Sequence, residues 1–451
     1  MSTLRRALGT IEVCGVSLSM MGPTMAIAFT TTLAAQAAGR AVPLAFLIGA
    51  VSIALVGLSF VSFGRRVAHA GSVYAYIGQV FGPRTGFIAG WALLLTYTTY
   101  MAGATALFGN FATAGLAHAG VEIPRLWMFA GAAATLTAIG FAWKDTRIAL
   151  RLMLLLEGIS VLAILLLAVL ILSQVPLSSA PLTPDAEHGW SGVGYGTVFA
   201  ILCFAGFEGA ATLGEEALDP KRAIPLAMMG TVAIAGLFYV LVSYAVVMGY
   251  GVDQVAALAQ ADSPLDELSL KYISGGFATF IDFAAATSAL ACTIGSLSAA
   301  ARLLYALGRA GLSSALGTAH PQHRTPTHAI LAVSATGLAG LVFWGSQVDA
   351  ASYAGSLATI GTLMLIIVYI GVTAAALVEA LRNRRRASCV VGLLGTALLI
   401  WPLWNSVYPV PDWPGSLWPY LVAAWLIAGA FLVRISPSLA RIEAEATEAA
   451  E

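Results

Sequence analysis

Apolar residues in this chain run in long stretches instead of recurring once per helical turn, and charged or turn-forming residues close each stretch. Apolar runs of about 18 residues or more read as membrane-spanning helices. The pattern predicts twelve, at 11–37, 41–63, 85–111, 126–142, 148–173, 192–214, 224–250, 277–305, 328–345, 349–378, 388–407 and 416–434. The apolar part of a cleaved secretory signal is only about 7–15 residues long, so the first run is expected to stay with the chain. No connection is long enough to form a separate domain. The longest, 251–276 and 306–327, read as loops with short helices, and the acidic tail after Arg441 reads as a short solvated helix.

Composition supports this picture. Of 451 residues, 59% are hydrophobic and 10% charged, against about 25% charged in soluble domains. Mean hydropathy is +0.87. That leaves too little polar material to coat a soluble fold, which excludes a soluble enzyme, a nucleic-acid binder and a disordered hub. The formal net charge is zero, so bulk charge points to no partner. The placement of charge says more. All of the 22 lysines and arginines except Arg40, Arg125 and Lys271 fall on one side of the predicted topology. The positive-inside rule then sets both termini in the cytoplasm. The acidic loop residues Asp185, Glu187, Asp253, Asp262, Asp266 and Glu267 fall outside. Cys14, Cys203, Cys292 and Cys389 form no CxxC pair and the histidines no cluster at ligand spacing, so no disulfide, metal or cofactor is expected.

Two spans contain interruptions that lipid tolerates only where the freed backbone groups face a cavity or a ligand. The first reads Met20-Met21-Gly22-Pro23-Thr24. Proline has no N–H and clashes with the preceding turn, while glycine permits the reversal needed to restart a helix at Pro23. A simple kink is the competing reading. The sixth span reads Phe204-Ala205-Gly206-Phe207-Glu208-Gly209, two glycines around a carboxylate at mid-depth. Spans one and six are five apart, as expected of two repeats of opposite topology that each open on a broken helix. A half-helix starting at the midplane offers N–H groups to an anion, and one ending there offers carbonyls to a cation. Such a site could hold both ends of a zwitterion.

Ionisable groups at mid-membrane depth are costly and mark function. Glu208 sits in a break and is assigned to coupling or gating. Glu157 lies nine residues into the fifth span, roughly 14 Å deep at 1.5 Å per residue, and is either a proton or cation site or a packing residue. Asp282 is shallower and reads as a solvated vestibule residue.

Four stretches identify the chain as a member of the amino acid–polyamine–organocation permease superfamily. They are Arg66-Val67-Ala68-His69-Ala70-Gly71-Ser72-Val73-Tyr74-Ala75-Tyr76 with Phe81-Gly82-Pro83 and Gly86 to Trp91; Gly206-Phe207-Glu208 followed by Glu215 to Pro225; Ala301 to Gly311; and His320-Pro321 with Thr325-Pro326. The resemblance covers essentially the whole chain. It implies an all-α, leucine-transporter-like 5+5 inverted-repeat fold with broken helices 1 and 6. The first repeat would span 1–175 and the second 192–380, with two accessory helices at 388–434 and a tail at 435–451.

The resemblance further implies a secondary active transporter of a small amino acid, working by alternating access in the cytoplasmic membrane and driven by a cation gradient or by exchange. A polyamine or other organic amine is the alternative substrate; a channel or a membrane enzyme is the alternative class. By the same resemblance Met21, Gly22, Pro23, Thr24, Phe204, Ala205, Gly206, Phe207, Tyr97 and Ser356 would bind substrate. Glu208, Glu157, Thr293 and Ser296 would serve coupling by proton or sodium. Pro23 removes one donor that amino-acid carriers use for the substrate carboxylate. Leu202 stands where some relatives place an aromatic cap, with Phe199, Phe204 or Phe207 as substitutes.

Overall fold

Glycine and proline punctuate the apolar runs at the points where the helices of the computed structural model begin and end. It describes residues 8–64, 73–118, 120, 121, 123–144, 147–213, 217–321, 323 and 325–435. Arg5, Arg6, the motif residues from Arg66 to Ser72, Glu215, Glu216, Arg324 and the tail beyond 435 lie outside the described residues. In chain order the helices are α1 (Thr10–Met21), α2 (Pro23–Ala38), α3 (Val42–Gly64), α4 (Val73–Phe81), α5 (Pro83–Ala117), α6 (Leu126–Lys144), α7 (Arg147–Gln174) and α8 (Gly189–Phe204). There follow α9 (Pro220–Tyr250), α10 (Val255–Leu258), α11 (Pro264–Tyr272), α12 (Gly275–Leu307), α13 (Thr327–Phe343), α14 (Ala350–Arg382), α15 (Arg386–Asn405) and α16 (Trp418–Ile435). Among the described residues there is no β-strand, only an isolated bridge between Leu8 and Ala217.

Ten stretches of the described residues are long and apolar enough to cross a membrane. One of them, Thr10–Phe63, runs for 54 residues through α1, α2 and α3, and so holds the first two predicted spans. The predicted span 85–111 falls in α5, which is not among the ten. Its threonines, tyrosines and glycines lower its hydropathy, and most of them are buried against protein, where lipid does not select for apolar side chains.

Burial sorts the helices. The apolar windows of α8 and α14 are each 72% inside the protein, those of α15 and α16 only 22% and 17%. Exposed Leu155, Leu162 and Leu166 on α7, with Ile427 and Phe431 on α16, form the apolar exterior a bilayer requires. The interior is built around α5 and α12, which pack against each other, with α1, α2 and α14 alongside. Trp91 of α5 stacks on Trp425 of α16 at 4.5 Å, and each indole N–H donates to the other residue's carbonyl. This pins an outer helix to the core without leaving a polar group in hydrocarbon.

Candidate functional site

The first break is a substitution of hydrogen-bond partners. Gly22 has φ 50° and ψ 61°, the left-handed region, and Pro23 opens α2. In an unbroken helix the amide of Thr24 would donate to the carbonyl of Met20 and that of Met25 to Met21. Here Thr24 N–H donates instead to Glu157 Oε1 at 2.8 Å, and Met25 N–H to Ser288 Oγ at 3.2 Å. Ser288 in turn donates to the same Glu157 oxygen at 3.0 Å, and Cys292 Sγ donates to the freed Met20 carbonyl at 3.0 Å. The positive end of α2 is therefore already occupied by a carboxylate from α7, the arrangement a helix N-terminus favours. The Thr24 hydroxyl is buried near Glu157 and has no partner within hydrogen-bond geometry among the described residues. Thr24→Pro removes the amide that faces Glu157 and should lower transport about tenfold, the worth of one charge-assisted hydrogen bond. Thr24→Ser should transport like the parent. Uptake normalised to folded membrane protein checks this, and equal behaviour of the two would remove the amide from the account.

The second break lies at the end of α8. Ala205 leaves the helix with φ −58° and ψ 129°, Gly206 takes φ +104°, and a 3-10 turn covers Phe207–Leu213. Tyr239 Oη donates to the Cys203 carbonyl at 2.8 Å, and Ser17 of α1 donates to the Phe207 carbonyl at 2.8 Å while accepting from the Ala210 amide at 3.1 Å. Glu208 is fully buried; its Oε2 accepts from the Gly206 amide at 3.1 Å and from Tyr369 Oη at 2.7 Å. Among the described residues its Oε1 and the hydroxyl of buried Tyr97 have no partner within hydrogen-bond geometry, although the two groups interact with each other. Every partner of Glu157 and Glu208 among the described residues is neutral.

The two breaks touch. A Cβ on Gly206 would sit 2.6 Å from Met20 Cβ and 2.8 Å from its backbone carbon. Gly206→Ala combines that clash with a strained φ, at a cost of at least about 1–3 kcal/mol. A thermal midpoint for the purified variant equal to the parent's would show that the breaks are looser than this geometry.

Between the breaks lies a cavity of 40 Å³ walled by Met20, Met21, Met25, Phe29, Tyr100 and Ala205 among others. A second, wider vestibule of 520 Å³ opens beside segment 259–262, and Phe29 lines both. The charged residues lining the vestibule are Asp262 and Asp349, both acidic. Asp349 caps α14, its Oδ1 accepting from the Ser352 amide at 2.8 Å.

Of the residues singled out by sequence, Met21 and Ala205 line the inner cavity; Gly22, Pro23, Thr24 and Gly206 form the two helix breaks, and neither they nor Tyr97 are among its lining residues. Ser356 lies in the vestibule. Phe204 and Phe207 are not among the cavity-lining residues: Phe204 packs edge-on to Tyr239, and Phe207 packs against Phe60 and Tyr369. Leu202 lines the cavity and Phe199 the vestibule. The Thr293 hydroxyl donates to its own helix at Ala289 O, 2.9 Å, and Ser296 lies 3.8 Å from Cys292 Sγ. Sequence reasoning missed Ser288, Cys292, Tyr369 and Phe29. Ser288, Cys292 and Ser296 recur every fourth residue on one face of α12, a polar stripe that would have pointed to the first two.

Asp282 departs from its expected place. Instead of a solvated vestibule residue it is fully buried, beside His118 and Asp266.

Residues 15–408 match the family model described as amino acid permease. The chain is similar to the low-affinity putrescine importer PlaP of Escherichia coli, 27% identical over 353 residues and 75% of each chain. It is similar also to cationic amino acid transporter 4 of Homo sapiens, 29% identical over 73% of this chain and 54% of that protein. A third likeness is to the branched-chain amino acid permease BcaP of Bacillus subtilis, 23% identical over 72% of each. These relatives are transporters and not enzymes, and the family match leaves out only the ends of the chain. The protein is thus a multi-pass membrane permease that belongs to the amino acid permease family, within the amino acid–polyamine–organocation superfamily.

Proposed function

We propose that this permease is a secondary active transporter that carries a small organic amine across the cytoplasmic membrane by alternating access. The observation that carries the reading is the pair of buried carboxylates, Glu157 and Glu208, whose partners among the described residues are all neutral. A membrane-buried negative charge is costly unless a cation or proton joins it. The amides of Thr24 and Met25, which would receive a substrate carboxylate, are already taken by Glu157 and Ser288. The site therefore supplies acceptors for a positive group and few donors for a negative one. Its walls of methionine, alanine and Phe29 suit a methylene chain, and the acidic vestibule draws cations toward it. The likeness to a putrescine importer agrees with an amine.

In this reading Ala205, Gly206 and the carbonyls near Phe204 hold the ammonium group, with Tyr97 and Glu208 behind them. Glu208 carries the coupling proton; sodium at Thr293 and Ser296 is the alternative. Twelve spans, both termini in the cytoplasm, and repeats at 1–175 and 192–380 complete it, with loop 251–276 outside. A small amino acid is the second reading, favoured by the likeness to two amino acid transporters. Its carboxylate would have to displace Glu157 from Thr24.

Uptake of labelled putrescine and of a labelled α-amino acid into proteoliposomes, each competed with unlabelled amines and amino acids, separates the two. Uptake of putrescine alone, competed by amines alone, is the expected result. Uptake of the amino acid alone would install the second reading, and uptake of neither would overturn both. Saturable uptake with counterflow excludes a channel.

A further inference from the structure

Away from the two breaks, three elements converge on a cluster that neither the family nor the proposed transport accounts for. His118 caps the end of α5, Asp266 stands in the first turn of α11, and Asp282 lies in the early turns of α12. His118 Nε2 is 3.0 Å from Asp266 Oδ1 and 3.5 Å from Asp282 Oδ2, and all three ligand atoms lie within 4.8 Å of one another. The ligands of a tetrahedral zinc ion, each about 2.0–2.1 Å from the metal, sit about 3.3 Å apart. Two of the three edges match that length. The side chain of Asp282 is 1% exposed, and its Oδ2, aimed into the cluster, has no hydrogen-bond partner among the described residues, only the 3.5 Å contact with His118. Ser263 Oγ donates to Oδ1 of the same carboxylate at 3.3 Å and so orients the other oxygen toward His118. His118 and Asp266 remain 28% and 15% exposed, leaving a path for an ion.

We infer that His118, Asp266 and Asp282 bind a divalent transition metal of the zinc class, with water in the fourth position. One imidazole nitrogen and two carboxylate oxygens suit zinc and its neighbours, whereas magnesium prefers an octahedron of oxygens. Bound metal ties α11 to the ends of α5 and α12. Segment 259–262, which runs into α11, forms the vestibule rim and holds α2 through Thr32 Oγ1 to Ala261 O at 2.9 Å and Gln36 Nε2 to Ala259 O at 2.8 Å. A metal that fixes α11 therefore also braces this rim.

The test titrates zinc chloride into the purified full-length protein in detergent, reading heat and thermal midpoint, with magnesium chloride as control. Zinc should bind saturably and raise the midpoint, and magnesium should do neither. Asp282→Asn and, at the more exposed rim, His118→Gln and Asp266→Asn should each weaken zinc at least tenfold, a loss seen even for groups one shell removed from a metal. Cobalt added to the parent should give the intense visible absorption of a tetrahedral site, and His118→Gln should lose it. No saturable zinc binding, or equal binding by folded His118→Gln and Asp266→Asn, would overturn the inference and leave the cluster as a histidine–carboxylate contact. The titration is independent of the transported substrate, so its failure leaves the amine reading untouched.

Discussion

Glu157→Leu should yield little folded protein, whereas Glu157→Gln should fold and lose about 10- to 100-fold in amine uptake. The difference follows from what Glu157 does. Its Oε1 accepts from the Thr24 amide and from Ser288, and Ser288 satisfies Met25. Leucine leaves the Thr24 amide unpaired in a water-free interior, a loss of about 1–3 kcal/mol for the orphaned donor and more for the charge-assisted bond. Glutamine keeps an acceptor oxygen in the same place, so the break survives. It removes the negative charge, and a charged hydrogen-bonded pair is worth about 1.5–3 kcal/mol, which at 1.4 kcal/mol per decade gives the stated range. Fluorescence-detected size exclusion reports the fold and proteoliposome flux the function. A well-folded, active Glu157→Leu would mean that the break closes without a carboxylate.

Glu208→Gln should likewise leave expression intact and reduce uptake more than tenfold. The amide oxygen of glutamine can accept from Gly206 and Tyr369 as Oε2 now does, and the amide nitrogen would stand where Oε1 has no partner within hydrogen-bond geometry among the described residues. The backbone is thus preserved while the site loses a group able to carry a proton or face an ammonium. Glu208→Ala removes the acceptor as well, and should lower yield in addition to flux. Wild-type uptake by Glu208→Gln, measured across pH and with and without sodium, would reduce Glu208 to a packing residue.

Much of this was legible in the sequence because membrane helices punish irregularity. Gly22-Pro23 and Gly206-Phe207-Glu208 stand out against apolar runs, and both mark real interruptions in the described structure. What closes those interruptions was not legible. Thr24 and Glu157 are 133 residues apart, and Glu208 and Tyr369 are 161 apart. No local pattern links them; the packing of α7 and α14 does. Phe204 and Phe207 read as candidate caps because both are aromatic and adjacent to the break, but side-chain direction sends them into the core while Phe29, on the other broken helix, lines both cavities. The hydropathy of α5 misleads in the opposite sense, since a helix surrounded by protein need not be apolar. His118 and Asp266 likewise meet across 148 residues, so no local spacing marks their contact.

The claim beneath all of this is that two membrane helices stop halfway, at Gly22 and at Ala205–Gly206, and that a carboxylate fills the start of α2 so that the site takes a positive group. A density map of the purified protein with bound putrescine tests it most directly. Both helices should be interrupted at those residues, Glu157 should remain on the Thr24 amide, and ligand density should lie between Met21 and Ala205. Continuous helices, or a ligand seated elsewhere with Glu157 turned away, would contradict the account.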